Sequence, residues 1–156
     1  MTRPFACVVN LGCRVNRVES DRITSDLVGA GFSLVDQDEA DIIVINTCAV
    51  TGEAESKTRK AVRHALGLPR EPIVVVTGCV VNLHPSELTD LSPRVIAQPS
   101  KIDVACTAAD AAGLPARTVN LDEGHDLADL LGRSRLGVKV QDGCNNRCSY
   151  CIVWKA

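Results

Sequence analysis

The stretch DIIVINTC, residues 41–48, decides the fold. Ile42, Ile43, Val44 and Ile45 follow one another with no polar residue between them. A strand with one wet face alternates apolar and polar side chains. An unbroken apolar run is buried on both faces, as in a parallel sheet covered by helices on each side. FACVVN (5–10) and PIVVVTG (72–78) share this texture. Between them, NRVESDRITSDLVGAG (16–31) carries Val18, Ile23, Leu27 and Val28 at roughly helical spacing and stops at Gly29 and Gly31. TGEAESKTRKAVRHALG (51–67) sets Ala54, Ala61, Val62, Ala65 and Leu66 on one side. Its Glu53 and Glu55 near the start and Arg63 and His64 near the end suit the helix dipole.

Outward from this centre, FSLV (32–35) and RVIAQ (94–98) predict two more strands. PSELTDL (85–91) predicts a short helix opened by Pro85, and KIDVACTAADAAG (101–113) a last one. Strands alternating with helices predict an α/β fold, a small doubly wound, flavodoxin-like parallel sheet with strand order 2-1-3-4-5. The N-terminal domain is expected over residues 1–112, followed by a polar, glycine-punctuated linker over 113–133. Residues 134–156 then begin something new, with RLGVKVQD (135–142) as an opening strand. At 156 residues there is room for one domain core and a remnant.

Totals narrow the chemistry. A net charge of −2 gives no overall attraction to nucleic acid, so any such contact must come from a local patch. The start MTRPFACVVNLGC reads as neither signal peptide nor anchor, and no apolar run approaches the ~20 residues that span a bilayer. A cytoplasmic protein with no membrane contact is expected. Eight cysteines in such a chain point to metal or redox chemistry rather than to disulfides, because the cytosol keeps thiols reduced.

Three of them, Cys13, Cys48 and Cys79, each follow an apolar strand, in VVNLGC, VINTC and VVVTGC. In an open parallel sheet, ligand sites form at the carboxyl ends of the strands. With order 2-1-3-4-5, the three strands concerned are neighbours about 4.8 Å apart, so the thiols gather on one edge. Gly12 and Gly78, just before two of the cysteines, would admit a cofactor close to the backbone. A single cysteine is usually a small buried hydrophobe, but three at equivalent strand ends favour a shared ligand. His64, His84 and His125 show no placement that would make one of the thiols a catalytic nucleophile. Three thiolates suit an iron–sulfur cluster with one open iron better than structural zinc, which takes a fourth protein ligand. Cys7, inside a strand, and Cys106, inside a helix, are expected in the core.

A second group closes the chain in VKVQDGCNNRCSYCIVWKA: Cys144, Cys148 and Cys151, spaced C-x3-C-x2-C. It lacks the spacing, fourth cysteine and proline of the ferredoxin run and the paired arms of a zinc ribbon. It does match the radical S-adenosylmethionine signature, and Tyr150 stands where that signature usually has an aromatic residue.

Taken together, NLGCRVN, NTCAVTGEAESKTRKAVR, VVVTGC and KVQDGCNNRCSYC resemble the methylthiotransferases, radical S-adenosylmethionine enzymes that insert sulfur and a methyl group at an unactivated carbon. The resemblance implies two 4Fe–4S clusters. Cys13, Cys48 and Cys79 would hold the first. Cys144, Cys148 and Cys151 would hold the second, whose open iron binds S-adenosylmethionine. LGCRVN and NTCAVTGEAE look most like the branch that acts on N6-threonylcarbamoyladenosine beside the tRNA anticodon. The implied reaction draws an electron from a reductant such as flavodoxin or ferredoxin and forms a 5′-deoxyadenosyl radical. The radical abstracts hydrogen from C2, sulfur comes from the first cluster, and a second S-adenosylmethionine supplies the methyl group.

Asn16 or Asn46 could tune the first cluster, or serve as ordinary turn and capping residues. Lys57, Arg59, Lys60 and Arg63 could touch tRNA phosphates, or form a solvated helix face. The family continues into a radical barrel and a small RNA-binding domain. Here the proline and Arg-Gly usual after the third cysteine are replaced by Trp154-Lys155-Ala156. The chain alone is therefore expected to be inactive, a truncated piece of its parent. The other readings are a parent that acts on isopentenyladenosine or a ribosomal protein, and a non-catalytic iron–sulfur or zinc module.

Overall fold

The computed structural model describes residues 3–48, 52–114, 132, 137–141, 143–151 and 153–154. Its centre is a five-stranded parallel sheet of order β2-β1-β3-β4-β5, built from β1 (Phe5–Asn10), β2 (Ser33–Leu34), β3 (Ile42–Thr47), β4 (Ile73–Gly78) and β5 (Val95–Ala97). The expected α/β architecture and strand order both hold. β3 is buried at every residue, as its unbroken apolar run requires.

Helices cover both faces. α1 (Arg14–Gly29) and α5 (Val104–Ala111) pack on one side, where Ile23, Leu27, Val104 and Ala108 meet Ala6, Ile42, Val44 and Val75. α2 (Gly52–Leu66), α3 (Cys79–Leu83) and α4 (Pro85–Thr89) line the other, where Val62, Ala65, Val80, Val81 and Leu88 meet Ile43, Ile45, Val74 and Val76. Alternate residues of one strand thus serve two cores. No helix among the described residues is long and apolar enough to cross a membrane.

Several expectations meet corrections. α1 buries Ile23 and Leu27 as its spacing predicts, but the rest of its buried face is Asn16, Glu19, Ser20 and Asp26. Cys106 is exposed, not core. On α5 the buried residues are Val104, Ala105, Ala108 and Ala109. At 100° per residue, Cys106 points well away from the centre of that face. Most of the linker expected over 113–133 lies outside the described residues, as does His125. Residues 137–141, expected to open a strand, join no sheet. A strand needs a laddered neighbour to satisfy its backbone, and none of the five offers one here.

The entry to β3 is tied down by Asp41. It accepts from the Phe5 N–H (2.9 Å) and pairs with Arg70 (2.5 Å). Burial alone would raise its pKa, but the bonds from Arg70 and Phe5 and the Arg70 charge outweigh it and hold the carboxyl below its ordinary value of 3.8. The folded chain therefore sheds this proton more readily than the unfolded one. The resulting stability is fully present above the ordinary carboxylate value and is lost as pH falls through the lowered one. Asp41→Asn should lower the stability measured by urea denaturation at pH 7 by about 1 kcal/mol or less, since both partners are partly exposed. The gap from the parent chain should close in titrations carried below pH ~3.8. A constant gap down to that range would mean that Asp41 does not titrate with folding.

Candidate functional site

The site is built where the central strands stop. β1, β3 and β4 are immediate neighbours, and Asn10, Asn46 and Thr77 stand side by side in register near their carboxyl ends. Cys48 directly follows β3, and Cys79 directly follows β4 as the first residue of α3. Cys13 stands three residues beyond β1, at the cap position preceding α1. The structure thus brings the three sequence-predicted cysteines to one edge. Cys48 is buried, Cys79 half-buried and Cys13 exposed.

Beneath them lies a buried cluster of amides and hydroxyls. The Cys13 thiol donates to Asn16 Oδ1 (3.2 Å). Asn16 Nδ2 donates to the Thr47 carbonyl (2.8 Å) and more weakly to Asn46 Oδ1 (3.4 Å). Asn46 Nδ2 returns bonds to the Asn16 carbonyl (2.9 Å) and Ser20 Oγ (3.1 Å). Thr47 Oγ1 donates to the Thr77 carbonyl (2.8 Å) and accepts from the Val80 N–H (3.2 Å), which ties β3 to the start of α3 beside Cys79. One connected set of bonds therefore reaches all three cysteine-bearing strand ends. Thr77 Oγ1 is the one buried side-chain polar atom among the described residues that has no partner.

The asparagines are neither turn nor capping residues. Asn46 is fully buried within β3, and Asn16 is nearly so on α1. The glycines, too, answer to the protein itself. A Cβ at Gly12 would lie 2.3 Å from Asn16 Cγ, and one at Gly78 would lie 2.4 Å from the Thr47 carbonyl oxygen and 2.8 Å from Asn46 Oδ1. Close backbone approach was legible, but what approaches is this cluster.

The terminal group is looser. Cys148 is exposed, and Cys144 and Cys151 are half-buried. The Cys151 N–H bonds the Cys148 carbonyl (3.2 Å), and Arg147 lies 5.8 Å from the Trp154 ring centroid. Tyr150 is exposed. Among the described residues, no three cysteine, histidine or carboxylate side chains in either place converge closely enough to hold a metal as they stand. The donor sets nevertheless fit iron–sulfur ligation in kind: three thiols on adjoining strand ends, and three thiols within one short loop. Metal binding takes the thiol protons, and at Cys13 that would remove the bond to Asn16 and release the side chain to turn.

Cys7 is different. Burial, with the Asp36 charge adding to it, pushes its thiol pKa up, so it stays protonated and packs against the core, as expected. His64 and His84 are exposed. On α2, Lys57 pairs with Glu53 (2.8 Å) and Arg59 with Glu87 of α4 (2.9 Å), so two of its four basic residues are engaged by the protein itself.

Residues 6–97 match the family described as "Uncharacterized protein family UPF0004". A ribosomal protein uS12 methylthiotransferase of Chlorobaculum tepidum is 33% identical over 158 residues, covering 98% of this chain and 35% of the relative. Threonylcarbamoyladenosine tRNA methylthiotransferases of Bacillus subtilis and Chlamydia pneumoniae are 30% and 34% identical, covering 92% and 94% of this chain and 34% of each relative. The chain thus spans about a third of the length of these relatives. The two kinds of relative stand at similar identity, so they do not separate the two substrates.

Proposed function

The chain belongs to protein family UPF0004, and we propose on that footing that it is the sulfur-donating N-terminal part of a cytoplasmic methylthiotransferase. One observation carries the reading: the three strands that lead into Cys13, Cys48 and Cys79 are the three adjacent central strands of the sheet. Cys13, Cys48 and Cys79 would hold one 4Fe–4S cluster, and Cys144, Cys148 and Cys151 would hold a second that binds S-adenosylmethionine. Together these groups supply radical formation, the sulfur atom and the methyl group. The residues of this chain provide the frame. Asn16, Asn46 and Thr47 fix the strand ends relative to one another, and buried Cys48 sets the depth of the site. The residues that bind substrate and complete the reaction lie in the remaining two thirds of the parent, with an electron supplied by a flavodoxin or ferredoxin.

For the substrate, LGCRVN and NTCAVTGEAE favour threonylcarbamoyladenosine in tRNA. Deleting the parent gene should abolish the 2-methylthio group beside the anticodon, read by mass spectrometry of digested tRNA. Loss of a methylthio group from a ribosomal protein instead would reassign the substrate.

The cluster reading is tested on the chain itself by iron and acid-labile sulfide after anaerobic reconstitution. About four of each per chain are expected in a Cys144→Ala/Cys148→Ala/Cys151→Ala variant, and near zero once Cys48→Ala is added. Zinc, or no metal at all, would leave a non-catalytic scaffold.

A further inference from the structure

Glu19 is a nearly buried carboxylate gripped from two distant parts of the chain. Its Oε2 meets Lys101 Nζ at 2.7 Å and its Oε1 meets Lys139 Nζ at 2.6 Å, with the Glu19 side chain 8% exposed. Lys101 comes from the loop between β5 and α5, and Lys139 from the segment that leads into the terminal cysteines. Gly137 in that segment lies so close to α1 that an added Cβ would stand 2.4 Å from Val18 Cγ2. Val138 and Val140, by contrast, are 81% and 93% exposed. Residues 137–140 thus alternate like an extended chain, with Gly137 and Lys139 toward α1 and both valines away from it. Both valines are left out of the contact, and the ion pair ties this segment to α1 beside the close approach of Gly137.

The placement matters because α1 links the two cysteine groups. Glu19 is about 9 Å along the helix axis from Cys13, at 1.5 Å per residue. Its neighbour Ser20 receives the Asn46 hydrogen bond. On the other side, Cys144 follows Lys139 by five residues, at most about 18 Å of extended chain.

We propose that Glu19 is a latch: by holding Lys139, it fixes the exit segment on α1 and keeps the Cys144, Cys148 and Cys151 loop within reach of the edge that carries Cys13, Cys48 and Cys79. Glu19 is a positioning residue and touches neither group. The latch stands on the contacts alone. Its value for passing sulfur between two sites rests on the function proposed above.

Trypsin tests it, because cleavage after Lys139 requires that side chain to leave Glu19. Cleavage there in the intact 156-residue chain should be at least tenfold slower than in a free peptide spanning residues 137–145. Glu19→Gln should raise the rate at least tenfold while the far-ultraviolet circular dichroism is unchanged. Lys139→Arg, which keeps the charge, should leave cleavage after position 139 slow. A parent chain cut as fast as the peptide, or a folded Glu19→Gln variant cut as slowly as the parent, would overturn the latch. If Glu19→Gln does not fold, the comparison of parent chain and peptide decides alone. Neither result touches the iron and sulfide content, so the latch and the cluster reading fail separately.

Discussion

Gly78→Ala should lower the stability of the domain by about 4 kcal/mol or more, a large share of the 5–15 kcal/mol typical of a folded domain. Gly78 ends β4 with φ +99° and ψ −165°, a region essentially closed to residues with a side chain. That strain alone costs on the order of 1–3 kcal/mol. The added methyl would also stand 2.4 Å from the Thr47 carbonyl oxygen and 2.9 Å from the Thr47 amide nitrogen. Both belong to β3, the central strand, laddered on each side and unable to retreat. Gly31 supplies the control: its φ is +101°, but nothing lies within 4 Å of a built Cβ. Gly31→Ala should therefore show the strain without the collision, a loss of about 1–3 kcal/mol. Urea denaturation of both variants separates the two effects. Equal losses would mean that the crowding at the strand ends is relieved cheaply and that the amide cluster is softer than its bonds suggest.

What the sequence disclosed and what it withheld divide along a physical line. The central strands were legible because burial on both faces leaves an unmistakable apolar run, and their order is the commoner one for five strands, which the structure has. The position of three cysteines at those strand ends was legible for the same reason. The polar underside of the site was not. Hydrophobic periodicity finds the face of α1 through Val18, Ile23, Leu27 and Val28, yet four of the six residues that helix buries are Asn16, Glu19, Ser20 and Asp26. Such residues are buried only because a specific partner waits for them. Asp26 finds Arg22 four residues away, but Asn16, Glu19 and Ser20 are met from 26 to 120 positions away in sequence. Pattern reading sees neighbours; these bonds join strangers. Cys106 was a different kind of miss. Its helix is rich in alanine, so no large side chain marks the inner face, but phasing from Val104 alone would have turned Cys106 outward.

Asn46→Leu should be the other severe change, and it acts on the site as well as on the fold. Leucine keeps the heavy-atom branching of asparagine but is bulkier, so no cavity forms and the loss is polar, with some overpacking added. Asn46 is fully buried and gives bonds to the Asn16 carbonyl and Ser20 Oγ while accepting one from Asn16 Nδ2. Asn16 Nδ2 keeps the Thr47 carbonyl, but Ser20 Oγ and the Asn16 carbonyl each lose a buried bond, at about 1–3 kcal/mol for each group left unsatisfied. A net loss of about 3 kcal/mol is expected, and Asn46→Asp should not repair it, because a carboxylate cannot donate to the Asn16 carbonyl. The second consequence is local. Asn16 is also the residue to which the Cys13 thiol is bonded and the one that holds the Thr47 carbonyl next to Cys48. With Asn46 gone, the helix that carries Cys13 loses its registration to the two strands that lead into Cys48 and Cys79. In a variant that still folds at low temperature, iron bound per chain after reconstitution should fall well below the parent value, with all six site cysteines intact. Full iron content in a destabilised Asn46→Leu protein would show that the cysteines find their cofactor without the amide brace, and would restrict Asn46 to the fold.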